Sequence, residues 1–153
     1  MEFGTLEREI HIDATPEIVY EVVSSPEHIQ EWWADEAELK SATPGAVGEL
    51  AWGSVEEPRS HVEPFTVVEA DPPRKFSFRW VYDEAGQQGN SLLVTVDLVP
   101  TGKGTTLRLT ESGFREKGWE VAVLEQMYRE HGEGWDLFVP RLAAYAAQLA
   151  ARR

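Results

Sequence analysis

The sequence predicts an α+β domain of helix-grip architecture, a curved antiparallel sheet of six to seven strands wrapped around a long C-terminal helix. Three observations carry this expectation. Runs of alternating apolar and polar residues recur between residues 6 and 110, divided by turn clusters. Two helical segments, each opened by a proline, follow the first run. Past Gly113 the apolar period lengthens to that of a helix and stays there.

In the first strand Leu6, Ile10 and Ile12 alternate with Glu7, Glu9 and His11, which puts His11 outward and gives Arg8 the parity of Ile10. Thr15 then caps a helix whose first position is Pro16, with Ile18, Val19, Val22 and Val23 on its apolar face. Ser25 and Pro26 repeat the device, and Ile29, Trp32 and Trp33 share a face of a second short helix. From about residue 37 the pattern is strands. One covers residues 47–52, after the turn at Thr43-Pro44-Gly45, and a polar loop at 53–60 leads to another at 65–70. Asp71-Pro72-Pro73 interrupts the ladder because two prolines remove two donors. Phe76, Phe78, Trp80 and Tyr82 then alternate with Ser77, Arg79 and Val81, directing four aromatic rings to one face. A flexible hairpin loop at 86–90 precedes Leu92, Val94, Val96 and Leu98, and a tight turn at 101–104 leads into a strand at 105–110. Short connections imply antiparallel pairing.

From about residue 121 to 151, Leu124, Met127, Tyr128, Trp135, Phe138, Leu142, Tyr145 and Leu149 recur at roughly i, i+3, i+4, i+7. Pro140 is expected to kink this helix or strip a backbone bond near Asp136. There is no internal repeat or low-complexity segment, and residues 1–153 read as one domain.

Composition narrows the function classes. The chain carries 27 acidic against 14 basic side chains, a net charge of −13, and its basic residues form no stripe. Such a surface repels nucleic acid and anionic membrane. No run approaches the ~20 apolar residues of a membrane span. The acidic start, Met1-Glu2-Phe3-Gly4, does not read as a secretory leader. The lack of cysteine removes disulfide and thiolate chemistry and fits a cytoplasmic protein. The four histidines are dispersed, with no H-x-x-x-H or H-E-x-x-H, so no metal site is expected. No G-x-S-x-G or phosphate-cradling loop occurs, so no residue is marked as catalytic and no cofactor is implied.

Several stretches together resemble one known group. Residues 12–20, IDATPEIVY, are similar to the opening strand, Pro-Glu corner and aromatic-bearing first helix of the START-like, or SRPBCC, superfamily. Trp32-Trp33, the segment from Val67 through Pro72-Pro73 to Trp80, and the turn at Gly104-Thr105-Thr106-Leu107 resemble its branch of heat-shock-protein ATPase activator homologues (AHSA-type). His131-Gly132-x-Gly134-Trp135 resembles that branch's Gly-Trp signature, which serves packing; Pro140 departs from the pattern. The resemblance implies the helix-grip fold. It does not choose among lipid and sterol carriers, polyketide cyclases, hormone receptors and co-chaperones of stress response.

Candidate site residues come from the inward faces. Trp32, Trp33, Trp52, Phe76, Phe78, Trp80, Tyr82 and Trp135 either line a ligand cavity between sheet and helix or fill the core. His131 shares a helix face with Tyr128 and Trp135; it is either a polar anchor at the pocket or a surface histidine beside two glycines, the plainer reading. His28 and His61 lie in polar stretches and read as exposed. Glu111 has the inward parity of Leu107 and Leu109. It is either a buried group paired with Arg8 or, more plainly, a strand-end carboxylate reaching water.

The leading functional expectation is a binding module for a small apolar or amphipathic ligand, in a cavity of at least ~300 Å³. The alternatives are an interaction module for a chaperone-class protein and a polyketide cyclase-like enzyme. The second needs salt-sensitive binding to a basic partner. The third needs polar groups such as His131, Glu111 or Tyr128 to converge in the pocket. Monomer and homodimer are both open.

Overall fold

The computed structural model describes residues 4–82 and 91–153, so the hairpin loop expected at 86–90 lies outside the described residues. β1 (Thr5–Ile12) leads into α1 (Pro16–Ser24) and α2 (Pro26–Trp32). Then come β2 (Glu36–Glu38), β3 (Val47–Trp52), β4 (His61–Asp71), β5 (Lys75–Trp80), β6 (Leu92–Thr101) and β7 (Gly104–Ser112). A 3-10 turn at Arg115–Lys117 precedes α3 (Val121–Arg152). The seven strands form one sheet in the order β1-β7-β6-β5-β4-β3-β2, antiparallel at every pairing. This is the α+β helix-grip fold that the sequence predicts. β2 went unannounced because three residues, Glu36-Ala37-Glu38, cannot display a period.

The helix starts follow their sequence signals. Thr15 Oγ1 accepts the Ile18 N–H at 3.4 Å, Pro16 opens α1, and Val19, Val22 and Val23 are buried. Ser25 occupies the corresponding position of α2, but its side chain makes no capping bond. α3 buries Gly132, Trp135, Val139, Leu142, Ala146 and Leu149, spaced alternately by three and four. This face is rotated from the expected one: Leu124, Met127, Tyr128, Phe138 and Tyr145 are only half-buried. Small residues face the sheet where the helix comes close. A Cβ at Gly132 would stand 3.2 Å from Arg8 Nη2 and 3.5 Å from Leu6 Cδ2. The helix also runs on through Pro140, which is exposed, so the proline removes one backbone bond without ending the helix.

Two departures in the sheet shape the site. β5 stops at Trp80 because Val81 adopts a φ of 54°, a left-handed turn whose carbonyl accepts Lys117 Nζ at 2.8 Å. Tyr82 therefore leaves the alternation expected of it. Its hydroxyl lies 2.6 Å from Thr66 Oγ1 and 2.9 Å from the Arg79 carbonyl, with the residues facing away from the core. β4, by contrast, starts at His61 rather than at Phe65. Its last partner on β5 is Phe65 opposite Trp80, so residues 61–64 overhang and pair with β3 alone. Pro64 sits in that overhang, where a strand tolerates a missing donor.

Candidate functional site: a tryptophan-walled cleft

Where β5 stops and β4 runs on, a cleft of about 210 Å³ opens between the sheet and α3. Trp33 from the end of α2, Trp52 from β3, Trp80 from β5, and Trp135 and Phe138 from α3 form its walls. Trp33 is the hub, with ring centroids 5.7 Å from Trp52, 5.1 Å from Trp80 and 5.3 Å from Trp135. Trp32 stacks behind it at 5.4 Å and 11°. The indole N–H of Trp52 donates to the Trp33 carbonyl at 2.8 Å and that of Trp32 to the Val22 carbonyl at 3.0 Å, which fixes both rings.

Beneath the cleft lies Glu111, with no exposed surface. Trp135 Nε1 donates to its Oε1 at 2.8 Å and Trp80 Nε1 to its Oε2 at 2.7 Å. His131 Nδ1 sits 2.9 and 3.1 Å from the same two oxygens. An indole nitrogen only donates, so both oxygens act as acceptors, and an ionised carboxylate takes its third N–H from His131. That places a proton on His131 Nδ1, and in the neutral imidazole Nε2 is then the acceptor. A buried carboxylate needs such a set of donors to offset its lost hydration.

The rim is polar. Glu63 and His61 reach the cleft from the β4 overhang, 3.2 Å apart, and Glu130 from α3. The His61 ring also lies 5.8 Å from Trp52. Burial pushes the Glu63 carboxyl above its ordinary value of 4.5, against the opposing pull of His61, His131 and Lys117. In the core beside the cleft only about 10 Å³ remains among Val23, Ile29, Trp33, Phe76 and Phe78, and a separate groove of about 270 Å³ runs between β1 and α3, lined by Leu6, Arg8, Tyr128 and Gly132. The continuous cavity of ~300 Å³ expected from the sequence is thus replaced by a smaller, open cleft at one end of the helix.

Of the residues singled out in the sequence, Trp33, Trp52, Trp80, Trp135 and His131 come together at the cleft, with Glu111 directly under it. Trp32, Phe76 and Phe78 belong to the core, and Tyr82 lies on the opposite face of the sheet. Tyr128 points away, donating to the Thr5 carbonyl at 2.8 Å beside β1. Three plainer readings are overturned. Glu111 does not reach water, because β7 carries it under α3; His131 is not a surface residue, because Glu111 draws it inward. His28 is not exposed: its ring bridges Tyr145 Oη and Glu21 Oε2, each at 2.7 Å. Arg8 does not pair with Glu111 either, for its guanidinium reaches Asp136 at 2.6 Å. His61 and Glu63 are site residues that went unrecognised. Counting back by twos from Phe65 places both on the inner face, but the strand expected there begins only at residue 65. Among the described residues no three metal-ligating side chains gather, and no helix is long and apolar enough to cross a membrane.

The family model for activator of Hsp90 ATPase homolog 1-like protein matches residues 13–147. The chain belongs to that family. No curated protein matches it in sequence. Among solved structures this family member is similar to protein MLL2253 from Mesorhizobium loti, at 24% identity and a TM-score of 0.74, over 94% of this chain and 97% of that one. It is also similar to the Aha1 dimer from Colwellia psychrerythraea, at 15% identity and a TM-score of 0.70, over 91% and 92% of the two chains. CalU16 from Micromonospora echinospora matches at 20% identity and a TM-score of 0.66, over 97% of this chain and 79% of that one. At these identities the likeness is one of fold. In this Hsp90 ATPase activator homolog 1-like chain the two residues of the Trp32-Trp33 pair have separate jobs. One ring is sealed in the core while its neighbour forms the back wall of the cleft.

Proposed function

We propose that this chain is a binding module for a small apolar or amphipathic molecule, held edge-in at the tryptophan-walled cleft. The observation that carries the reading is the convergence of four indole rings from four different elements on one opening, with polar side chains confined to its rim and floor. Flat rings around a partly open slot suit a planar ligand, with the polar groups fixing its orientation. At about 210 Å³ the cleft suits a ligand of one or two rings better than a long acyl chain. We take residues 1–153 as one domain acting in the cytoplasm.

Native mass spectrometry of freshly purified protein, with organic extraction of whatever co-purifies, tests this directly. Gly134 lines the cleft, and a Cβ there meets no atom within 4 Å. The substitution Gly134→Leu should therefore fill the slot and leave the fold intact, adding about 0.5–1 kcal/mol of helix stability. A small molecule carried by the wild type and absent from Gly134→Leu supports the reading. Bare wild-type protein from several expression hosts, or equal loading of the two, counts against it.

A second reading rests on the family and on the net charge of −13: an acidic co-chaperone-like surface for a chaperone-class ATPase. It requires binding that weakens as salt rises. No binding to such an ATPase at low salt would remove it.

A further inference from the structure

Resting on the cleft reading above, we propose that the site selects neutral aromatic ligands bearing an acidic O–H, phenols or enols, and that His131 Nε2 is the atom that accepts this hydrogen bond. The geometry begins with Glu111. Its oxygens take the Trp80 and Trp135 indole N–H groups, and the remaining donor is His131 Nδ1. The other ring nitrogen, Nε2, has no protein partner among the described residues, and it is not one of the buried side-chain atoms shut off from solvent without a bond. His131 lines the cleft. The Trp80 and Phe114 rings stand edge-on to its imidazole, at 5.6 and 5.5 Å between centroids, and hold its plane. The result is a fixed acceptor in an aromatic-walled slot, with a carboxylate behind it to stabilise any positive charge the imidazole takes on.

The surrounding charges sharpen the class. The titratable groups around His131 are Glu111 from β7, Glu63 and His61 from β4, Glu130 from α3 and Lys117 after β7. Lys117 donates to the Val81 carbonyl. Two carboxyl groups at the rim and one beneath it disfavour a ligand that arrives as an anion, so a carboxylic acid is a poor fit. A phenol arrives neutral, donates one bond and presents a flat face to the indoles. A ligand without a donor leaves Nε2 deprived of the water it displaces, and that unpaired group is what generates discrimination.

Three probes with the same ring system separate the possibilities: 2-naphthol, 2-methoxynaphthalene and 2-naphthoate, titrated calorimetrically into the wild-type chain and into His131→Phe. The wild type should bind 2-naphthol about tenfold more tightly than the ether, the typical worth of one well-made hydrogen bond, and 2-naphthoate most weakly. His131→Phe should bind naphthol and ether equally. Should that variant fold poorly, the wild type alone decides: 2-naphthol should shift the ¹⁵N resonance of His131 Nε2, and the ether should leave it in place. Equal affinity of naphthol and ether in the wild type, or tighter binding of naphthoate, overturns the inference while leaving the cleft a binding site. Binding of none of the three overturns the inference and counts against the cleft as an aromatic site.

Discussion

Exchanging Glu111 for glutamine would keep one acceptor oxygen and turn an amide N–H₂ toward an indole or imidazole donor. One buried N–H then goes unpaired, so Glu111→Gln should lower stability by about 1–3 kcal/mol in urea denaturation. Glu63 behaves in the opposite sense to a paired carboxylate. Burial raises its folded-state pKa above 4.5, so the folded chain holds its proton more tightly than the unfolded one. Its contribution is fully present below pH 4.5 and is lost as pH rises through the raised value. The stability difference between wild type and Glu63→Gln should therefore move against the wild type as pH climbs from 4.5, and a flat difference would contradict the assignment. This chemistry was the least legible part of the sequence. Parity alone pointed Glu111 inward, but its three donors come from residues 80, 131 and 135, brought together only by tertiary packing. Spacing along the chain carries no trace of such a meeting.

At the level of elements, α3 contains a replaceable defect. Pro140 lies exposed in the helix interior, where it removes the donor to the Asp136 carbonyl. Pro140→Ala restores that bond. Against a mid-helix proline cost of about 3 kcal/mol stands the unfolded-state entropy regained, up to about 1 kcal/mol, so the variant should gain about 2 kcal/mol in chemical denaturation. Periodicity identified most elements but misjudged where some end. β5 halts at a positive φ on Val81, a residue whose side chain gives no hint of it. β4 begins four residues ahead of Phe65, through a proline that looks like a boundary. Both misreadings fall at the cleft, and together they explain why Tyr82 was expected there and His61 and Glu63 were not.

For the molecule as a whole, architecture was legible because many weak periodic signals agree on one order of strands and helices. The net charge of −13 acts on the same scale. Mutual repulsion among acidic side chains works against the compact state and is screened by salt. Raising NaCl from 10 to 200 mM at neutral pH should lift the melting temperature by a few degrees, equivalent to about 1 kcal/mol. An unchanged or lower value would mean that local ion pairs, such as Arg8 with Asp136, outweigh the global field. One of the sheet's two terminal strands has a consequence of its own. β2 is only three residues long and carries glutamate at both ends. A second chain has too short and too negatively charged a template there to add a strand, so this border of the sheet resists the edge-to-edge growth that seeds fibrils.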